Sequence, residues 1–140
     1  MSRLYSFTNM YLSDKQKGIQ TAHLLNAFWK KYSCLTSEIS AFWDWIYGSE
    51  TIIVLAGGNH VDLEIKWSQF SGYNYPYAAF REKKESLNGA LTAVGIILPE
   101  NFNSQEDRDE RIRRGIGHNS TAELLCDAKL AELLNNSKLA

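Results

Sequence analysis

Residues 14–23 (DKQKGIQTAH) concentrate lysine, glutamine and histidine in one short segment. At the start of a helix such a run suits an anion, because the free backbone N–H groups and the helix dipole favour negative charge there. Lys15 and Lys17, together with a glutamine, would then bind a phosphate or an oxyanion. A well-capped, solvated helix start has the same polar composition, so pattern alone leaves both readings open.

The elements that must position this segment are legible as periodicities. Residues 3–9 read as a first strand. Ser13 then opens a helix, and Gln16 three residues on completes a capping box. On a helical wheel Ala22, Leu25, Phe28, Trp29 and Tyr32 share the side expected to meet the core. Gln16, Gln20, His23, Asn26 and Lys30 fall on the opposite, outward side. A second helix is expected after Thr36, with Ile39, Phe42, Trp43, Ile46 and Tyr47 inward and Gly48 at its end.

Residues 51–56 (TIIVLA) are a β-branched run of buried-strand length, broken by Gly57-Gly58-Asn59-His60. Residues 61–70 fit strand alternation and helix spacing alike. Asn59 as a cap and Gly72 as a stop favour helix. Residues 77–81 and 91–98 read as the last two strands, with a turn at Asn88-Gly89. The order strand, helix, helix, strand, helix, strand, strand indicates an α/β layered fold. Residues 1–99 read as one compact body. Residues 100–140 read as a charged helical extension whose last helix carries Leu124, Leu125, Ala128, Leu130 and Leu134.

Composition bounds the function. A chain of 140 residues has room for one sizeable core without disulfides or a structural metal. At 44% hydrophobic content it is not a disordered chain. A net charge of -1 excludes a strongly basic nucleic-acid domain, though not a local basic patch. Cys34 and Cys126 form no CxxC pair, so zinc-ribbon and thioredoxin-type motifs are excluded, and two reduced thiols in a cytoplasmic protein are expected. The amino terminus has no continuous apolar stretch of signal-peptide type, and no apolar run approaches the roughly 20 residues of a bilayer span, so no membrane association is expected.

Residues 9–28 (NMYLSDKQKGIQTAHLLNAF) resemble the opening of the archaeal–eukaryotic type of peptidyl-tRNA hydrolase, with a first strand, a Lys-rich loop and a helix bearing Gln-x-x-His at Gln20 and His23. Residues 51–58 are similar to that family's second strand. Asn88-Gly89-Ala90-Leu91-Thr92-Ala93-Val94-Gly95 is similar to the Pro-Gly-Ser-x-Thr-x-x-Gly signature entering its last strand. The resemblance spans most of residues 1–99 and nothing beyond them. It implies a mixed four-stranded sheet with helices on both faces and hydrolysis of the ester joining a peptide to the 3′ ribose of tRNA, with no metal or other cofactor. It also implies site roles for Lys17, Gln20 and Thr92, with Asn88 and Gly89 beside the substrate.

A physical account of those roles is available. Lys17 would offset charge on the ester oxyanion or the terminal phosphate. Gln20 and Thr92 would orient a water or the substrate carbonyl. His23 is a candidate base, since an imidazole titrates near neutral pH; the alternative is a structural helix histidine. The lysines stand one residue closer to Gln20 than in typical members, so either Lys15 or Lys17 would point inward. The family's Asp-x-Gly-x-Thr-Gln stretch is replaced by residues 80–85 (FREKKE), where Glu82 or Glu85 would have to supply the carboxylate. A carboxylate that reaches the site favours hydrolysis; its absence favours binding alone.

Two basic clusters complete the inventory. Arg81, Lys83 and Lys84 stand near Tyr73, Tyr75 and Tyr77, a pairing that RNA sites use for charge and stacking and that ordinary packing also produces. Arg111, Arg113, Arg114 and His118 are offset by four neighbouring carboxylates and read as a solvated helix or a tRNA contact. Three functions fit: an esterase acting on peptidyl- or aminoacyl-tRNA, a protein that binds a nucleotide or RNA end without cleaving it, and a scaffold whose helix at 121–137 joins two copies as a homodimer. Near-neutral charge favours the second over the first, because RNA binding gains affinity from released counterions. The motif spacing favours the first.

Overall fold

The computed structural model describes residues 1–34, 40–83, 89–100, 102, 109, 113, 121–137 and 139. They form β1 (Arg3–Thr8), α1 (Asp14–Tyr32), α2 (Ser40–Tyr47), β2 (Ile52–Ala56), α3 (His60–Phe70), β3 (Tyr77–Arg81), β4 (Leu91–Leu98) and α4 (Thr121–Asn136). The strands build one mixed sheet in the order β2-β1-β4-β3. β1 and β2 are parallel, and β4 runs antiparallel to both of its neighbours. The fold is therefore α/β, with a four-stranded mixed sheet and a carboxy-terminal helix.

The sheet is covered on both faces. On one, α1 and α2 bury Leu24, Phe28, Phe42 and Trp45 against Leu4, Ala93 and Ile97. On the other, Leu63 and Phe70 of α3 and Leu130 of α4 pack with Phe7, Val94, Ile96 and Leu98. All eight residues of β4 are buried, which is why that segment reads as a continuous apolar run rather than an alternation. Leu130 is fully buried, so α4 contributes to this core. Beyond it Leu139 bridges to Leu55, on the outer edge of β2.

The expected capping box forms, and a second one forms at the Asn59 cap. Ser13 accepts from the Gln16 N–H while Gln16 Oε1 accepts from the Ser13 N–H. Asn59 and Asp62 exchange the same pair at the start of α3. These local bonds select helix over strand for residues 61–70, leaving Val61 and Ile65 exposed while Leu63 and Phe70 enter the core. Gly58 ahead of this cap has φ of 82°, and a Cβ there would stand 2.2 Å from the Asp62 carboxylate. A side chain at 58 would break the cap.

The helix faces differ from the expected ones. Along α1 the buried residues are Gln20, Thr21, Leu24, Phe28 and Tyr32, whereas Ala22 and Trp29 are exposed. Gln20 points inward because polar groups of β4 and of the segment after β3 await it there, so its burial costs no hydrogen bond. In α2, Tyr47 is exposed and Trp45 is buried instead, its indole N–H donating to the Thr51 carbonyl at 2.8 Å. In α4, Ala128 is exposed, and Leu130, Leu133 and Leu134 make the contact with the body. Thr36 and Ile39 lie outside the described residues, as do the side chains of Leu124 and Leu125.

Two features of β4 set the position of α1. A Cβ at Gly95 would lie 2.7 Å from Leu24 Cδ2 and 3.0 Å from Phe28 Cε2, so this glycine lets the helix sit close to the sheet. Nearer the start of β4 the register shifts: Phe80 pairs with Ala93 but Arg81 with Leu91. Thr92 is the extra residue of the resulting bulge. It turns toward α1 as Ala93 does, while Leu91 and Val94 face α3. Bulges commonly re-aim a side chain in this way.

Candidate functional site

β1, β2 and β3 run in one direction, so their carboxyl ends lie together, beside the start of β4. The chain leaves β1 into α1 on one face and leaves β2 into α3 on the other. Such a divergence opens a crevice outside the strand ends. An open cleft of about 670 Å³ lies there, lined among others by Tyr11, Gln16, His60, Glu64, Arg81 and Thr92.

Thr92 connects the cleft to a chain of buried polar groups. Its hydroxyl donates to Gln20 Oε1 at 2.9 Å. The Gln20 amide then donates from Nε2 to Glu82 Oε1 at 3.0 Å. Thr92 and Gln20 are almost wholly buried, and Glu82 is partly exposed. The polarity of the chain is fixed at each link. A carboxylate only accepts, so the amide must turn its NH₂ toward Glu82 and its oxygen toward Thr92. Among the described residues the other oxygen of Glu82 accepts no hydrogen bond. Of the two carboxylates considered from sequence, Glu82 is the one joined to Gln20; Glu85 lies outside the described residues.

The other site candidates fall at graded distances from this chain. Lys17 is one turn before Gln20 on α1; its side chain is 19% exposed and its ammonium is 3.7 Å from Asp14 Oδ1. Lys15 is exposed, so Lys17 is the inward lysine. His23, one turn after Gln20, is also exposed. Its ring stacks on Phe80 at 4.4 Å between centroids with a 10° interplanar angle. It makes no hydrogen bond among the described residues, and thus stands beside the Gln20 chain rather than within it.

Arg81 bridges the two sides of the cleft. It grips both oxygens of Glu64 on α3, with Nη2 to Oε2 at 3.0 Å, and donates from Nη1 to the Gly89 carbonyl at 3.2 Å. The guanidinium holds the Glu64 carboxyl below the usual carboxylate range, and Arg81 in turn keeps its proton more tightly. Behind the cleft, Lys66 donates to the Gly57 carbonyl at 3.2 Å, and burial lowers its pKa against the opposing pull of Asp62.

Some expected associations do not form. Tyr73, Tyr75 and Tyr77 pack against the core on the α3 face at the opposite end of the sheet from Arg81. At about 3.3 Å of rise per residue, Tyr77 and Arg81 stand some 13 Å apart along β3. Tyr77 therefore does not stack beside Arg81; its ring instead carries the Lys31 ammonium at 3.5 Å from its centroid. Lys84, Asn88, Arg111, Arg114 and His118 lie outside the described residues. Sequence reasoning overlooked Tyr11, His60 and Glu64. The signal for Tyr11 is a large aromatic in a strand-to-helix loop; His60 follows Gly57-Gly58-Asn59, a stretch too short for a phosphate loop and without its lysine.

Among the described residues no group of three or more His, Cys, Asp or Glu side chains is arranged to hold a metal ion, and no helix is long and apolar enough to cross a membrane. No protein-family model matches the chain, and no curated protein matches it significantly.

Proposed function

We propose that this protein hydrolyses the ester bond of peptidyl-tRNA or aminoacyl-tRNA, releasing the tRNA, as a cytoplasmic enzyme. The observation that carries this reading is the hydrogen-bonded chain Thr92–Gln20–Glu82, whose Thr92 end borders the cleft. A carboxylate with one oxygen held by an amide keeps the other for a water molecule. The water attacks the ester carbonyl while Glu82 accepts its proton; the bond from the carbonyl carbon to the ribose 3′ oxygen then breaks, and the proton passes to that oxygen. Lys17 supplies positive charge for the oxyanion or the adjoining phosphate. Thr92 has its proton committed to Gln20, so it positions the amide and offers only lone pairs to the substrate.

A second reading, binding of a nucleotide or RNA end without cleavage, is favoured by the balance of charge. Arg81 is engaged by Glu64, and the whole chain carries -1, which limits the counterion contribution to RNA affinity. Incubating the pure protein with peptidyl-tRNA and with free nucleotides, and scoring cleavage and binding separately, decides between them. Ester cleavage that is lost in Glu82→Gln supports the hydrolase. Binding without cleavage supports the second reading, and neither activity removes both.

A further inference from the structure

We infer that Tyr11 is a stacking platform for a nucleobase seated in the cleft, and that the cleft is the subsite for the terminal nucleoside of the substrate. The inference deepens the hydrolase reading and rests on it for the identity of the nucleoside. Tyr11 is 77% exposed, yet the backbone that carries it is fastened at every step. The Asn9 N–H donates to the Thr92 carbonyl at 3.1 Å, that of Met10 to Gly58 at 2.8 Å, that of Tyr11 to Asn9 Oδ1 at 3.0 Å and that of Leu12 to the Asn9 carbonyl at 3.2 Å. Asn9 itself is nearly buried. The Asn9 and Met10 N–H groups thus fix the loop to β4 and to the loop before α3, and those of Tyr11 and Leu12 close it on Asn9.

The ring on this rigid loop touches no other ring, and its hydroxyl makes no hydrogen bond, among the described residues. A fixed aromatic face without a covering side chain, on the wall of a cleft, gives a flat ligand contact area with little ordering entropy left to lose. The opposite requirement of a base is an edge of donors and acceptors. Gln16, whose Oε1 is held by the Ser13 cap, has no acceptor for its NH₂ among the described residues and lines the same wall. Arg81 uses two of its three nitrogens on Glu64 and Gly89. His60 adds a second ring to the lining. At about 670 Å³ the cleft is within the usual range for small-ligand sites. Thr92 borders the same space and donates to Gln20, so it links the nucleoside subsite to the Gln20–Glu82 pair.

The test is binding of the RNA trinucleotide CCA, which carries no ester, to the wild type and to Tyr11→Ala, Tyr11→Phe and Tyr11→Trp, with thermal melts as a folding control. Stacking predicts that Tyr11→Ala weakens binding about tenfold or more with an unchanged melt, while Phe and Trp preserve it. Equal binding by wild type and Tyr11→Ala overturns the inference, as does a loss in Tyr11→Phe as large as in Tyr11→Ala, or no binding by the wild type. Tyr11-dependent binding without cleavage of peptidyl-tRNA would overturn hydrolysis and leave the stacking site standing. Cleavage with a KM indifferent to Tyr11→Ala would do the reverse.

Discussion

The Thr92 hydroxyl donates to the Gln20 side-chain carbonyl across the interface of β4 and α1, joining residues 72 positions apart in the chain. Neither group has water as an alternative partner, since both residues are almost wholly buried. Thr92→Val removes the donor, leaves the shape nearly unchanged and strands a buried amide oxygen. The expected cost is about 1–3 kcal/mol of stability, read as a lower midpoint in urea or heat. Turnover on peptidyl-tRNA should fall with it, and Thr92→Ser should recover both.

Under the proposed hydrolysis Glu82 and His23 are the two candidates for the base, and their surroundings separate them. Glu82→Gln is expected to lower turnover by about 10²–10⁴-fold with little change in melting temperature. His23→Ala should cost much less, because the exposed imidazole only stacks on Phe80. Single-turnover hydrolysis of peptidyl-tRNA by both variants checks the order. A reversed ranking would make His23 the base.

Lys17 should act on developing negative charge, so Lys17→Ala is expected to lower turnover by about 10²–10³-fold with a smaller effect on binding. Lys15, which is exposed, should matter less. If Lys17 only holds a phosphate, the loss will appear as weaker and more salt-sensitive binding. Unchanged turnover in both single variants and the double variant would remove the lysines from the mechanism.

The ion pair of Arg81 and Glu64 predicts a pH effect with a definite sign. Its hydrogen bonds lower the Glu64 pKa in the folded protein relative to the unfolded chain. The pair therefore contributes its full stability above the unfolded carboxylate pKa and loses it as pH falls through the lower, folded value. Both side chains are close to half exposed, so solvent screening keeps the contribution below about 1 kcal/mol. Melting curves of wild type and Glu64→Gln should differ at pH 7 and converge in acid.

Leu130 is expected to anchor the carboxy-terminal helix. Leu130→Ala should cost about 2–5 kcal/mol, because the side chain is fully buried among Phe7, Val94 and Leu98. Removing residues 121–140 should lower the melting temperature. An unchanged melt after that truncation would show that the body is complete without α4.

Capping and periodicity made much of the architecture legible. Ser13 with Gln16, and Asn59 ahead of α3, announce helix starts through bonds between residues three apart. The β-branched run at Ile52–Ala56 and the apolar run at Leu91–Leu98 announce strands through composition. The last helix is visible as a leucine pattern. Each of these signals is carried by near neighbours in the chain, where backbone hydrogen bonding and side-chain period decide the outcome.

Which side chains meet was decided at longer range. A wheel drawn from hydrophobicity turns Gln20 outward, because an amide alone prefers water. It turns inward once Thr92 and Glu82 supply both of its hydrogen bonds. Thr92 reaches it through a one-residue register shift between β3 and β4, which exists only when the two strands are paired. His23 at the same helical spacing is diverted by the face of Phe80. Arg81 is tied to Glu64, on a helix that the chain reaches from the opposite edge of the sheet. Tyr11 stands exposed because the bonds that hold its loop come from β4 and from Gly58. Partners this remote leave no local periodicity; their positions follow from strand order and from which face of the sheet each helix crosses.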